Sequence, residues 1–89
     1  MGNKLSYSKI LDITHKYGCR ISYLAQSKQI VFASPGNIEK VEKELKYVLK
    51  KYPWFYVSLM GGYVYIEEIN PYGTKIVELY EGINGKSKK

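Results

Sequence analysis

The glycine pair Gly61-Gly62, set between two alternating runs of aromatic and aliphatic residues, constrains this chain more than any other feature. A two-residue hairpin turn needs positive φ at its central positions, which glycine adopts without steric cost. Pairing outward from the turn sets Leu59 opposite Val64 and Val57 opposite Ile66 on one face. The other face then carries Trp54, Tyr56, Ser58, Met60, Tyr63, Tyr65 and Glu67, because successive strand residues alternate sides. The first face is a core face. The second is aromatic without being greasy, and a binding function is to be sought there.

The chain of 89 residues is expected to form one domain, residues 1–82, followed by a flexible basic tail, residues 83–89. Its 45% hydrophobic content is enough to fold, although a chain this short has a thin margin of stability. The single cysteine, Cys19, rules out an intramolecular disulfide framework and a cysteine-based zinc site. No apolar run is long enough to span a bilayer, and Met1-Gly2-Asn3-Lys4 lacks the apolar core of a signal peptide. A soluble, cytoplasmic protein is expected, in the host cytoplasm if the source is a virus. Net charge is +6 and the pI about 9.4, which favours anionic partners at long range. Ten tyrosines and many lysine–glutamate pairs resemble the composition of hyperthermophile proteins and suggest an archaeal or archaeal-virus origin.

Along the chain, Ser6 or Ser8 can cap a first helix that runs to Tyr17, with Tyr7, Ile10, Leu11, Thr14 and Tyr17 at helical spacing. Gly18 stands where a left-handed residue ends many helices. Cys19 to Leu24 and Gln29 to Ala33 read as two strands about a Gln26-Ser27-Lys28 turn, with Ile21, Tyr23, Ile30 and Phe32 on one face. Asn37 is a good N-cap for a second helix, Ile38 to about Tyr52. There Ile38, Val41, Leu45, Val48, Leu49 and Tyr52 make one apolar stripe. Glu39–Lys43 and Glu42–Lys46 are i,i+4 pairs in the favourable orientation, and Pro53 stops the helix. After the hairpin, Asn70-Pro71-Tyr72-Gly73 is a turn, and Thr74 to Glu81 reads as a fifth strand with Ile76 and Tyr80 on one side and Val77 and Leu79 on the other. The expected order is α-β-β-α-β-β-β: an α+β fold with an antiparallel sheet of four to five strands and two helices on one face. A weak repeat supports it, since Lys16-Tyr17-Gly18 before Ile21-Ser22 parallels Lys51-Tyr52-Pro53 before Val57-Ser58.

Catalytic constellations are sparse. His15 could meet Asp12 and Cys19, but a solvated histidine and a small buried thiol explain the same residues. Glu67 and Glu68 point to opposite faces of a strand and cannot act as a pair; Glu67, Glu78 and Lys75 only faintly suggest a metal-dependent nuclease. The α-β-β-α-β-β order resembles, in topology alone, the LAGLIDADG homing endonucleases, whose saddle-shaped sheet grips DNA. Those enzymes carry acidic residues at the ends of their first helices. The matching segment here, Thr14-His15-Lys16-Tyr17-Gly18, has none, so the resemblance implies no cleavage activity.

The aromatic face is the serious candidate. The expected binding surface comprises Trp54, Tyr56, Met60, Tyr63 and Tyr65, with Arg20, Lys28 and Lys75 supplying charge. Such a face suits a protein interface, where Tyr, Trp, Met and Arg are enriched. It also suits a platform for single-stranded or duplex nucleic acid, where bases stack on rings and cations track phosphates. Packing within the monomer would be the third use. The favoured reading is a non-enzymatic protein-interaction or regulatory module acting as a homodimer, with nucleic-acid binding as the alternative. No cofactor, metal, membrane or small-molecule substrate is inferred.

Overall fold

A computed structural model describes residues 7–69 and 74–87 of the chain. The element order is α1 (Tyr7–Tyr17), β1 (Arg20–Leu24), β2 (Gln29–Ala33), α2 (Ile38–Leu49), β3 (Phe55–Met60), β4 (Tyr63–Glu68) and α3 (Thr74–Ser87). The α+β class and the antiparallel sheet are as expected, with four strands in the order β1-β2-β4-β3.

The central hairpin closes as its glycines dictate. Gly61 has φ 59° and Gly62 φ 84°, and the register sets Leu59 against Val64 and Val57 against Ile66. The β1–β2 hairpin pairs Ile21 with Phe32 and Tyr23 with Ile30. The two hairpins then join through their second strands, Ile30 against Ile66 and Phe32 against Val64. The order is unchanged when β1 and β2 are exchanged for β3 and β4, so the weak repeat in the sequence has a counterpart in the sheet.

Alternation puts Ile30, Phe32, Phe55, Val57, Val64 and Ile66 on one face, all buried, where they meet the helices. From α2 come Val41, Leu45 and Leu49, one apolar stripe at helical spacing. At roughly 1.5–3 kcal/mol for each fully buried aliphatic or phenyl side chain, this cluster is what opposes the entropy of ordering. Helix α2 starts where expected and ends at Leu49 rather than near Tyr52, which follows a turn at Lys50 and Lys51; Asn37 makes no side-chain cap, and only its carbonyl accepts, from the Val41 N–H at 3.0 Å. Helix α1 ends at Gly18 (φ 61°), and the Cys19 N–H donates back to the Thr14 carbonyl at 2.8 Å, a Schellman closure. The Ser6 cap and the turn at residues 70–73 lie outside the described residues.

The main correction is the expected fifth strand. Thr74 to Ser87 is one helix, which also takes in most of the stretch expected as a tail. Ile76, Leu79 and Ile83 are buried and Tyr80 half-buried, an i, i+3, i+4, i+7 stripe that alternation could not satisfy. The Tyr80 ring stacks on Tyr23 of β1 at 5.2 Å. Helices α2 and α3 rest on the sheet, and α1 packs chiefly against those two helices. Glu68, at the end of β4 and on the covered face, accepts from the Ile76 N–H at 3.0 Å. A carboxylate at the positive end of α3 answers an orphan donor of its first turn.

Candidate functional site

All three helices gather on one side of the sheet, and the opposite face is left uncovered among the described residues. Strand pairing arranges that face in rows running across the sheet. One row is Leu24, Gln29, Glu67 and Tyr56; the next is Ser22, Val31, Tyr65 and Ser58. At the hairpin end Met60 pairs with Tyr63, and at the far edge Arg20 pairs with Ala33. Tyr56, Met60 and Tyr63 are 52%, 61% and 46% exposed. Tyr65 is half-buried between its strand neighbours and meets Tyr63 edge-to-face at 6.5 Å. Four of the expected residues, Tyr56, Met60, Tyr63 and Tyr65, therefore share one open surface. Leu24 and Val31 extend it across β1 and β2. Their outward alternation was readable, but that they would lie beside the aromatic hairpin depends on strand order, which the sequence leaves open.

Trp54 is not on this surface. It precedes β3, stacks on Tyr52 at 5.7 Å, meets Phe55 edge-on at 6.1 Å and packs against the core. Alternation assigns a side only within the strand, and Trp54 lies in the turn that precedes it. Lys75 is likewise removed: it sits in the first turn of α3, with its ammonium 4.7 Å from the centre of the indole. Such a contact is worth about 0.5–1 kcal/mol at an exposed site. Arg20 stands exposed at the edge of the open face, and Lys28 in the β1–β2 turn. Lys28 has φ 55°, a left-handed conformation that few residues other than glycine adopt.

Charge is strongly segregated. The open face carries Arg20 and Glu67, and Glu67 is engaged by the Gln29 amide at 3.3 Å. Lysines cluster on the other side: Lys9 and Lys16 on α1, Lys40, Lys43 and Lys46 on α2, Lys50 and Lys51 just after it. Some are neutralised. Lys46 pairs with Glu42 at 3.0 Å, one of the two expected i,i+4 pairs. Lys16 pairs with Glu44 at 3.1 Å, and the Tyr17 hydroxyl donates to the same Glu44 oxygen, clasping α1 to α2. Donation from Tyr17, then from Lys16, holds the Glu44 carboxyl below its ordinary range, while Tyr17 and Lys16 are raised above theirs.

The remaining sequence candidates do not assemble. His15 and Cys19 both line a cavity of about 220 Å³ with Thr14 and Tyr80, but Asp12 lines a different cleft, beside Lys16 and Glu44. Burial pushes the Cys19 thiol up, partly offset by a hydrogen bond with Ser34. A raised thiol is a poor nucleophile. Glu78 lies on α3 and Glu67 on the open side of the sheet, so the carboxylate pair considered for metal chemistry does not form. Among the described residues no group of three or more His, Cys, Asp or Glu side chains comes together, and no helix is long and apolar enough to cross a membrane.

No family model, curated protein or solved structure matches the chain.

Proposed function

We propose that this protein is a non-enzymatic interaction module whose open sheet face binds a second copy of itself. The observation that carries the reading is the low charge of that face: tyrosine, methionine, leucine and valine side chains with only Arg20 and Glu67 among them. Interface cores are enriched in Tyr, Met and Arg and depleted of Lys and Glu. A chain of net charge +6 repels its own copies, and this is the side on which two can approach at least cost. The face is small. Four strands about 4.8 Å apart and about 17–20 Å long give about 350 Å² in plan. Stable interfaces bury about 800 Å² per partner, so a reversible dimer in the micromolar range is the expectation.

Nucleic acid on the same rings is the second reading. It calls for cations interleaved with the aromatics, and among the described residues only Arg20 and Lys28 stand near them.

Sedimentation at a series of concentrations tests the choice. Wild type should pass from monomer to dimer, and Met60→Lys and Tyr63→Ser should remain monomeric with unchanged thermal stability. A wild type that stays monomeric at millimolar concentration would refute self-association. A gel shift at two salt concentrations, lost in Tyr56→Ala and Tyr65→Ala, would move the assignment to nucleic acid.

A further inference from the structure

On the helix side, where α1 begins and α2 ends, Lys9, Lys50 and Lys51 line a cleft of about 430 Å³ together with Tyr47, Val48 and Tyr52. Lys50 and Lys51 have a local reason to be there, since the carbonyl end of α2 favours cations. Lys9 stands in the first turn of α1, where the helix dipole disfavours an ammonium; it shares the cleft with two further lysines and borders, on its other side, a second cleft that Asp12 and Glu44 line. Among the described residues no carboxylate lines the cleft, and the ion pairs Lys16–Glu44 and Lys46–Glu42 engage other lysines. Three lysines at the rim of one cleft favour an anionic occupant. At the mouth stands Tyr47, 75% exposed, the most open of the large apolar side chains described. A cleft of this volume lies within the ~300–1000 Å³ range of small-molecule sites.

From this we propose that the cleft binds a small polyphosphate ester of the nucleoside di- or triphosphate class. The three ammonium groups hold phosphate oxygens by charge-assisted hydrogen bonds. The Tyr47 ring and Val48 offer an apolar wall to a flat base. The proposal is independent of the sheet face, which lies on the opposite side of the molecule.

Titration calorimetry of the full chain in magnesium-free buffer at fixed ionic strength tests it, with ATP, inorganic triphosphate, adenosine and a short oligonucleotide as probes. ATP should bind one to one, triphosphate more weakly and adenosine not measurably. Lys9→Gln and the Lys50→Gln/Lys51→Gln pair should each weaken ATP by about tenfold or more, as expected for loss of a hydrogen bond between charged groups. A Lys40→Gln/Lys43→Gln control should change nothing, and circular dichroism should show every variant folded. Three results would overturn the proposal: no ATP binding at millimolar concentration, equal weakening by the control pair, or an oligonucleotide that displaces ATP and is itself weakened by the control pair. The first would mean that the lysines only offset the end of α2, the second diffuse attraction, and the third a nucleic-acid surface along the helices.

Discussion

Replacing Gly82 by alanine should destabilise the protein, although the same change in most helices does the reverse. Gly82 lies within α3, and a methyl group there would overlap the ring of Tyr7 on α1, at Cε1, Cζ and Cδ1. Two effects oppose each other. Alanine is favoured over glycine in a helix interior by about 1 kcal/mol. Overpacking costs about 1–3 kcal/mol. The Tyr7 ring is half-buried and can move outward, but doing so takes it off the core it packs against. The net is a loss of about 1 kcal/mol, or about 4–8 °C in Tm for a domain of this size. In a Tyr7→Ala background the obstruction is gone, and Gly82→Ala should then stabilise by up to about 1 kcal/mol. Urea denaturation of the four proteins, followed by far-UV circular dichroism, gives a coupling energy of about 2 kcal/mol. A coupling near zero, with alanine equally welcome in both backgrounds, would show that α1 and α3 do not approach through this glycine.

Other expectations follow from single contacts. Glu68→Ala removes the acceptor of the Ile76 N–H and should cost about 1–2 kcal/mol; amide exchange in the first turn of α3 should accelerate before that of β4, and uniform exchange would count against the cap. Lys28→Gly relieves a left-handed residue (φ 55°) and should raise stability by about 0.5–1 kcal/mol once the greater freedom of the unfolded glycine is subtracted; an unchanged denaturation midpoint would contradict it. The Glu44 carboxyl is held below its ordinary value by Tyr17 and Lys16. The stability it adds is therefore complete above the unfolded carboxylate range and lost as pH falls through the folded value. Tyr17 is raised above its ordinary 10.0, so its share is present below that value and lost as pH rises beyond it. Glu44→Gln should flatten the acid limb of a stability–pH curve, and an acid limb identical to wild type would refute the clasp.

What was legible in the residues was whatever depends on local chemistry. Gly61-Gly62 sets the register of β3 and β4 because positive φ leaves few alternatives, and the α2 stripe from Ile38 to Leu49 is long enough for its period to be unambiguous. Thr74 to Glu81 was not legible. Within those residues Ile76, Val77, Leu79 and Tyr80 satisfy alternation as well as helical spacing, and the deciding residue, Ile83, lies beyond Gly82, which reads as a terminator. Gly82 is in fact inside the helix, where Tyr7 occupies the space a side chain would take. Trp54 was misplaced because strand parity was extended one residue too far, past Phe55. The open face was half legible: its aromatic hairpin follows from pairing, whereas the contribution of Leu24 and Val31 depends on a contact between distant strands. The basic cleft was hidden for the same reason, since Lys9 comes to line it with Lys50 and Lys51 only after α1 packs on α2.

The junction of the hairpins at β2 and β4 also governs how the chain reaches its native state. Each hairpin closes locally, on a scale of about 1–10 μs, but a lone two-stranded ribbon is marginal in water. Among the described strands, Ile30 against Ile66 and Phe32 against Val64 form the contact that spans the whole of α2, so its closure carries a loop-entropy cost that neither hairpin bears. The topology thus predicts hairpins that form early and hold only once they are joined.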